Sequence, residues 1–398
     1  MKFKHLLYIF RFSLFSALLC LLSCEAGDEL RKDEPYFVKF FGGSSQQAAN
    51  DFIAMPDQGF VVAGVISDKS GKNIQALLLR TDKNCNWVWQ KSFGDVQNDR
   101  FLSLVRLDDA IIAVGYTEST DKKNQILIVK TDFNGNQIFN KTYGVTGYEA
   151  RVCILCKDGN IAIGGFYNKR EVSENVNARD GIFLMKISPQ GDSLWSKNFG
   201  SNDYELISSI YQDNDENLYV LGTTNIKEAS KPEGSIYLKK LNNNGQALDS
   251  LIISAKTNDF SKSMFIHPDG NIYLLATTNS KREISIVKTP VNNLQDYKLG
   301  RVITTSLNNT TAQFILTKNN EMAILGSLGN IPSRDMFLLR FSMNFDPIDE
   351  EILGMRQSED GVKLIENPDE SICVLSNSIA GNAFSFSITK VSKYFKFE

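Results

Sequence analysis

From Phe37 onward the chain is a succession of short apolar runs divided by turn residues, with no stretch in which apolar side chains return at helical spacing. The pattern is plainest near the middle of the first half. Residues 150–155 read as one strand, Asp158, Gly159 and Asn160 make a turn, and residues 161–166 return as a second strand. A third strand at 182–187 turns through Pro189, Gln190, Gly191 and Asp192 into a fourth at 194–199. Asp-Gly and Asn-Gly steps accept positive φ cheaply, so they suit hairpins. The predicted unit is four antiparallel strands, lettered A to D in chain order.

That unit recurs. An aromatic residue followed by x-Lys-x-aromatic-Gly occupies 89–94, 139–144 and 195–200. A basic residue ends strand C at Arg80, Lys130, Lys186, Lys240, Lys288, Arg340 and Lys390. A small residue closes strand B at Gly64, Gly115, Gly165, Gly222, Ala276, Gly326 and Ser376. Two independent markers thus give seven copies each, and four-stranded units repeating at about fifty residues describe propeller blades. The seventh unit stops at Glu398 without a good strand D, while Phe37, Val38, Lys39, Phe40, Phe41 and Gly42 match the 89–94 block position by position. An N-terminal strand completing the last blade closes a ring and removes an exposed edge. The expected fold is therefore all-β, a seven-bladed propeller over residues 36–398, and over that span the chain resembles bacterial seven-bladed propeller-repeat proteins. Units five to seven depart from the pattern, since their strand D lacks the aromatic-x-Lys-x-aromatic block.

The first residues follow another logic. Lys2, Lys4, His5 and Arg11 make a basic start, and the apolar run at 12–22 is too short to span a bilayer as a helix. Leu21, Leu22, Ser23 and Cys24 resemble a bacterial lipobox. That resemblance implies a signal peptide at 1–23, removed by cleavage, diacylglycerol on the Cys24 sulfur, and acylation of the new amine. Several acyl chains hold a protein at a membrane because each buried methylene contributes about 0.8 kcal/mol. Residues 24–35 read as a lipidated, solvated tether. Its acids Glu25, Asp28 and Glu29 resemble the signal that sends Bacteroidota lipoproteins to the outside of the outer membrane, so display at the cell surface is expected over a periplasm-facing position.

Composition narrows the function. The formal charge is −3, and removing residues 1–23 takes away three cations and no acid, so the remainder is more acidic. With no basic stripe, nucleic acid is a poor partner. His267 is the one histidine outside the signal, which leaves little room for imidazole catalysis or histidine metal sites. Cys153 and Cys156 form a lone Cys-x-x-Cys on a predicted strand, where residues three apart face opposite sides; buried thiols are expected there and at Cys373. Asp213, Asn214, Asp215, Glu216 and Asn217 begin like a calcium loop, but Leu218 stands where glycine is required and Thr224 where glutamate is. The recurrent basic residues are expected to be architectural, and Trp87, Trp89 and Trp195 to serve blade packing. No metal and no cofactor is expected.

Insertions at 168–181 and 225–234 fall between strands B and C, on the face shared with the D–A loops. Scaffold loops commonly carry binding residues. Tyr148, Tyr204 and Phe260 sit at similar places in successive D–A loops, beside Glu149, Asp203, Glu205 and Asp259. The expected function is a non-catalytic envelope lipoprotein that binds glycan or peptide as accessory to an outer-membrane nutrient-uptake system, with a transporter as a possible partner. The alternatives are a scaffold propeller of an envelope complex and a carboxylate-dependent glycosidase or lyase. An acid pair across the central channel would favour the enzyme, and dry apolar patches would favour the scaffold.

Overall fold

The computed structural model describes residues 36–397, apart from 44, 95–97, 119–122, 145–146, 169–180, 201–203, 227–233, 254–258, 279–282, 305–308, 355–356 and 381–382. The expected signal peptide and tether, Cys24, Asp203 and most of both insertions lie outside the described residues. The strands form seven antiparallel sheets of four, in the order expected for a propeller. Blades one to six take consecutive strands. Blade seven is completed by Phe37–Phe41, which pairs with Ala383–Val391 so that Phe37 faces Lys390 and Phe41 faces Phe386. The Phe41 and Phe386 rings stack at 5.1 Å, inside a core that also holds Phe52 and Phe60 of blade one. The ring is therefore closed by strand exchange.

The innermost strands are Gln46–Ala54, Asp99–Arg106, Tyr148–Leu155, Tyr204–Gln212, Phe260–Ile266, Asn309–Leu316 and Ser358–Glu366. Each carries a β-bulge at the same place, at Asn50, Leu102, Arg151, Ser208, Lys262, Ala312 and Val362. The residue before each bulge faces Gly64, Gly115, Gly165, Gly222, Ala276, Gly326 or Ser376, which is the small-residue marker of the repeat. A Cβ added to Gly64, Gly115, Gly165 or Gly222 would run into the carbonyl of Ala48, Arg100, Glu149 or Leu206. The marker exists because a bulge drives strand A backbone against strand B.

A bulge also frees amides from the ladder, and here they are taken up by the neighbouring blade. Leu104 N donates to Asp51 Oδ2 at 3.0 Å, Cys153 N to Ser103 Oγ at 3.3 Å, Phe314 N to Ser263 Oγ at 2.9 Å and Leu364 N to Gln313 Oε1 at 3.0 Å. A second row joins strand A to the previous blade's strand B: Ser261 N to Thr223 Oγ1, Gly361 N to Ser327 Oγ and Ala49 N to Asn377 Oδ1. The stitching crosses the seam, where Lys363 of blade seven pairs with Asp51 of blade one at 2.5 Å and Asn377 also donates to Ala49 O.

Towards the rim the blades lock through strand D and the next blade's C–D turn. Trp89 and Trp195 donate Nε1–H to Phe133 O and Asn243 O, at 3.1 Å each, while their rings cover Gly135 and Gly245. Those turn glycines have φ of 76° and 75°, and a Cβ there would press on the indole. Between blades five and six the lock is inverted. Phe345 takes the turn position at φ 68° and lies over Gly300 of strand D. Phe395 takes the same position in blade seven at φ 60° and is almost fully buried. The weak repeat of the later units thus reflects an exchange of large and small residues across the interface.

The basic residues ending strand C are clips, as expected. Arg80 reaches Asp57 at 2.6 Å, Lys186 reaches Asp158 at 2.6 Å, Lys288 reaches Asp269 at 3.4 Å and Lys390 reaches Asp369 at 3.0 Å, each in the A–B turn of its own blade. Lys130, Lys240 and Arg340 donate to Pro189 O, Val291 O and Lys393 O of the next blade, and Arg340 also lies 3.5 Å from Glu321 at the end of its own A–B turn.

Two outcomes follow for stability. A chain starting at Gly42 should melt well below one starting at Asp33, because the edge of Ala383–Val391 loses its partner; equal melting temperatures in thermal unfolding would refute closure by this strand. The second concerns acid. Burial disfavours the charged form of Asp158, but hydrogen bonds from Lys186, Asn160 and Asn243 outweigh it and hold the carboxyl at about 2. A lowered folded-state value gives stability that is full above the unfolded value, about 3.9, and is lost as pH falls through about 2. Asp158→Asn should therefore flatten the loss of stability over that window in urea titrations, and an unchanged slope would show that the clip carries no such linkage.

Candidate functional site

Two concave regions and one loop-side cluster compete for function. The central channel, about 580 Å³, is lined by strand A residues of all seven blades. Its wall mixes Arg151, Lys262 and Lys363 with serines, Gln313 and aliphatic side chains. Among the described residues of this wall the carboxylate is Asp51, and it is already committed to Lys363, Ser103 Oγ and Leu104 N. The second concavity, a cleft of about 530 Å³, opens between blades five and six at the rim.

The loop-side cluster grows from the start of strand A in blade three. Tyr148 faces Tyr167 of strand B, and the pleat stacks their rings at 5.3 Å. Phe183 tilts against Tyr148 at 5.5 Å, and the Tyr148 hydroxyl accepts from Asn198 Nδ2 at 2.8 Å. One residue on, Glu149 points the other way in the strand. It pairs with Arg151 at 2.6 Å and accepts from Asn124 Nδ2 of blade two at 2.5 Å. Arg151 in turn lies 4.4 Å over the Phe166 ring. Tyr116 of blade two is close enough to feel Glu149 and Arg151, although burial is what chiefly pushes its hydroxyl up.

Blade four supplies the other flank. Glu205 is buried, and Thr224 Oγ1 donates to its Oε1 at 3.2 Å. Burial, then Tyr148 and then Glu205, push the Tyr167 hydroxyl up. Lys239 lies over the Phe199 ring at 4.5 Å; burial lowers its pKa and Glu205 partly offsets that.

The structure thus joins Tyr148 to Tyr167 and Glu149 to Arg151 and Asn124 across blades two and three, with Glu205 buried at the start of strand A in blade four. Asp259 and Phe260 lie one blade further on, where strand A of blade five begins. Asp259 is buried and donates its N–H to Gly234 O, and half-buried Phe260 faces Thr277 in blade five. Tyr204 opens strand A of blade four, half-buried and facing Ile226. Tyr167, Phe166 and Tyr116 escaped sequence reasoning because they end strand B, a position that reads as the close of a buried hairpin. The signal that could have found them is the aromatic residue following the strand B glycine in both blades two and three.

Other candidates resolve into packing. Cys153 and Cys156 are buried in separate core clusters, and burial pushes their thiols up to about 12 and about 11. Cys85 and Cys373 are also buried and free. Both ring nitrogens of His267 are engaged, Nδ1 by Asp269 and Nε2 by Asn320 at 2.6 Å. Asp213 accepts from Asp215 N, Asn217 N, Asn217 Nδ2 and Tyr219 Oη, which makes it the keystone of a turn. Among the described residues no group of three or more His, Cys, Asp or Glu side chains is placed to hold a metal ion. Trp89 and Trp195 pack between blades, whereas Trp87 is 62% exposed.

No protein-family model matches the chain, and no curated protein matches its sequence. Solved structures show the same fold at low identity. A component of the COPII outer coat vertex on membranes aligns with a TM-score of 0.56 at 10% identity, over 87% of this chain and 84% of that one. A Bacteroides fragilis protein provisionally assigned as a 6-phosphogluconolactonase aligns with a TM-score of 0.53 at 10% identity, over 82% and 92%. A Bacteroides uniformis protein with the same provisional assignment aligns with a TM-score of 0.50 at 10% identity, over 85% and 98%. At such identities the likeness is one of fold, and the chain is a seven-bladed β-propeller.

Proposed function

We propose that this chain is a non-catalytic lipoprotein of the cell envelope, anchored through Cys24 at the outer membrane, facing outward, which binds a glycan or polar peptide as accessory to a nutrient-uptake system. The observation that carries this reading is the loop-side cluster of blades two to four. Half-buried aromatic rings at Tyr116, Tyr148, Phe166 and Tyr167 alternate there with the Glu149–Arg151 pair and the amides of Asn124 and Asn198. Stacking faces beside fixed donors and acceptors suit sugar rings or peptide planes. The glycosidase or lyase alternative needs two acids at catalytic separation; in the channel wall Asp51 is bound on both oxygens instead.

A second reading, the scaffold, has its own support at the rim. One outward position of strand D is Ser92, Thr142 or Asn198 in blades one to three, but Ile252, Val302, Ile352 or Phe40 in blades four to seven. Together with exposed Val88, Ile138 and Leu194 on strand D of blades one to three, these side chains leave apolar surface along the rim, densest over blades four to seven, which favours a protein partner there.

Two measurements separate these readings from their alternatives. Cys24→Ala should move the protein from the membrane to the soluble fraction of fractionated cells, and continued retention would require another anchor. Tyr148→Ala with Tyr167→Ala should reduce binding on a glycan or peptide array by at least about fivefold, since each lost stacking contact contributes about 0.5–1.5 kcal/mol. Thermal unfolding is read alongside: a variant that melts normally and binds normally would refute the site.

A further inference from the structure

The rim cleft exists because blade five departs from the repeat. In blades one to three strand D ends on Phe93, Tyr143 or Phe199, whereas blade five places Ile303 there. Phe345 fills the space over Gly300 but leaves an open cleft of about 530 Å³, within the usual span of small-molecule sites, about 300–1,000 Å³. Its inner wall is hydrocarbon: Ile284, Leu328, Phe337 and Leu339 join Ile303, with exposed Ile352 at the outer lip.

Arg301 stands at this wall with donors to spare. Lys91 and Lys141, at the same strand D position, each reach the next blade's C–D turn, at Asn136 Oδ1 and Gln190 O. Arg301 makes the corresponding bond from Nη1 to Phe345 O at 3.0 Å, and its guanidinium lies 5.4 Å over the Phe341 ring. A lysine would suffice for that bond. The guanidinium adds Nε–H, which is buried with no acceptor among the described residues, and an Nη2 to which no described residue is hydrogen-bonded. The Nε and Nη2 side of an arginine is a two-donor fork shaped for a carboxylate. Of the acids at the cleft, Asp349 faces Arg340 at 3.6 Å, and Glu350 is solvent-exposed.

We propose that the cleft between blades five and six binds an amphiphilic carboxylate, its acyl chain against the aliphatic wall and its carboxylate on Arg301. An acyl chain fits better than a peptide, because the inner wall offers no partner for buried amides and each would cost about 1–3 kcal/mol unpaired. The site is independent of the loop-side cluster.

Laurate, dodecanol, acetate and a blocked trileucine with a free carboxylate, each titrated calorimetrically into the purified protein, test the assignment. Laurate should bind at one site, at least about tenfold more tightly than dodecanol, with acetate not detectably bound. Arg301→Lys, which keeps the structural bond to Phe345 O as Lys91 and Lys141 do, should lower laurate affinity about tenfold and leave dodecanol unchanged. Ile303→Phe, which restores the side chain of blades one and three, should remove binding of both while the melting temperature holds or rises. If that variant fails to fold, Leu328→Phe serves to fill the same wall. Equal affinity for laurate and dodecanol, tighter binding of trileucine, or laurate binding that survives both Arg301→Lys and a folded filling variant would each overturn the proposal.

Discussion

Everything in this ring rests on what the backbone does at one position per blade. A strand that lines a narrow channel has a neighbour on one side only, and its remaining amides would be buried without acceptors. The bulge in each innermost strand turns some of those amides sideways, and short polar side chains of adjacent blades receive them: Asp51, Ser103, Ser263, Gln313, Thr223, Ser327 and Asn377. The same bulge requires a small residue in strand B. A hydrogen-bonding need near the axis thereby becomes a sequence signature one strand further out.

Blade number, strand order and closure were legible because they depend on backbone demands that few side chains meet. Gly64, Gly115, Gly165 and Gly222 answer a close approach, and Arg80 or Lys186 answer an acidic turn. The loop-side cluster was legible in part. Tyr148, Glu149 and Glu205 stood out by their recurrence beside turns, and recurrence selected Asp259 and Phe260 equally, although those two stand one blade further on. Pairing across strands A and B brings in Tyr167, and stacking on Arg151 brings in Phe166; neither relation can be read from spacing along one strand. The inverted lock was invisible for a similar reason, since Gly300 and Phe345 make sense only as a pair.

The two faces of the disc have different chemistry. At the A–B and C–D turns, charges are spent on holding turns, as with Asp57, Asp158, Asp269 and Asp369. At the opposite face Glu149 and Arg151 neutralise one another beside half-buried aromatic rings. Paired charges next to rings allow a neutral, polyhydroxylated ligand to bind without either ion being stripped of its partner.

The exchange of Phe345 and Gly300 has a consequence for how such a chain assembles. Tandem repeats of similar sequence risk docking in the wrong order, and that failure grows with the number of near-identical surfaces. An interface with a large strand and a small turn cannot mate with one built the other way round: two large rings collide, and two small residues leave a void. Because Trp89 with Gly135 and Gly300 with Phe345 are of opposite polarity, a blade presented to the wrong neighbour finds a surface of the wrong shape. The irregularity of the later units thus acts as a key that tells blades apart and discourages skipped or swapped neighbours as the ring forms.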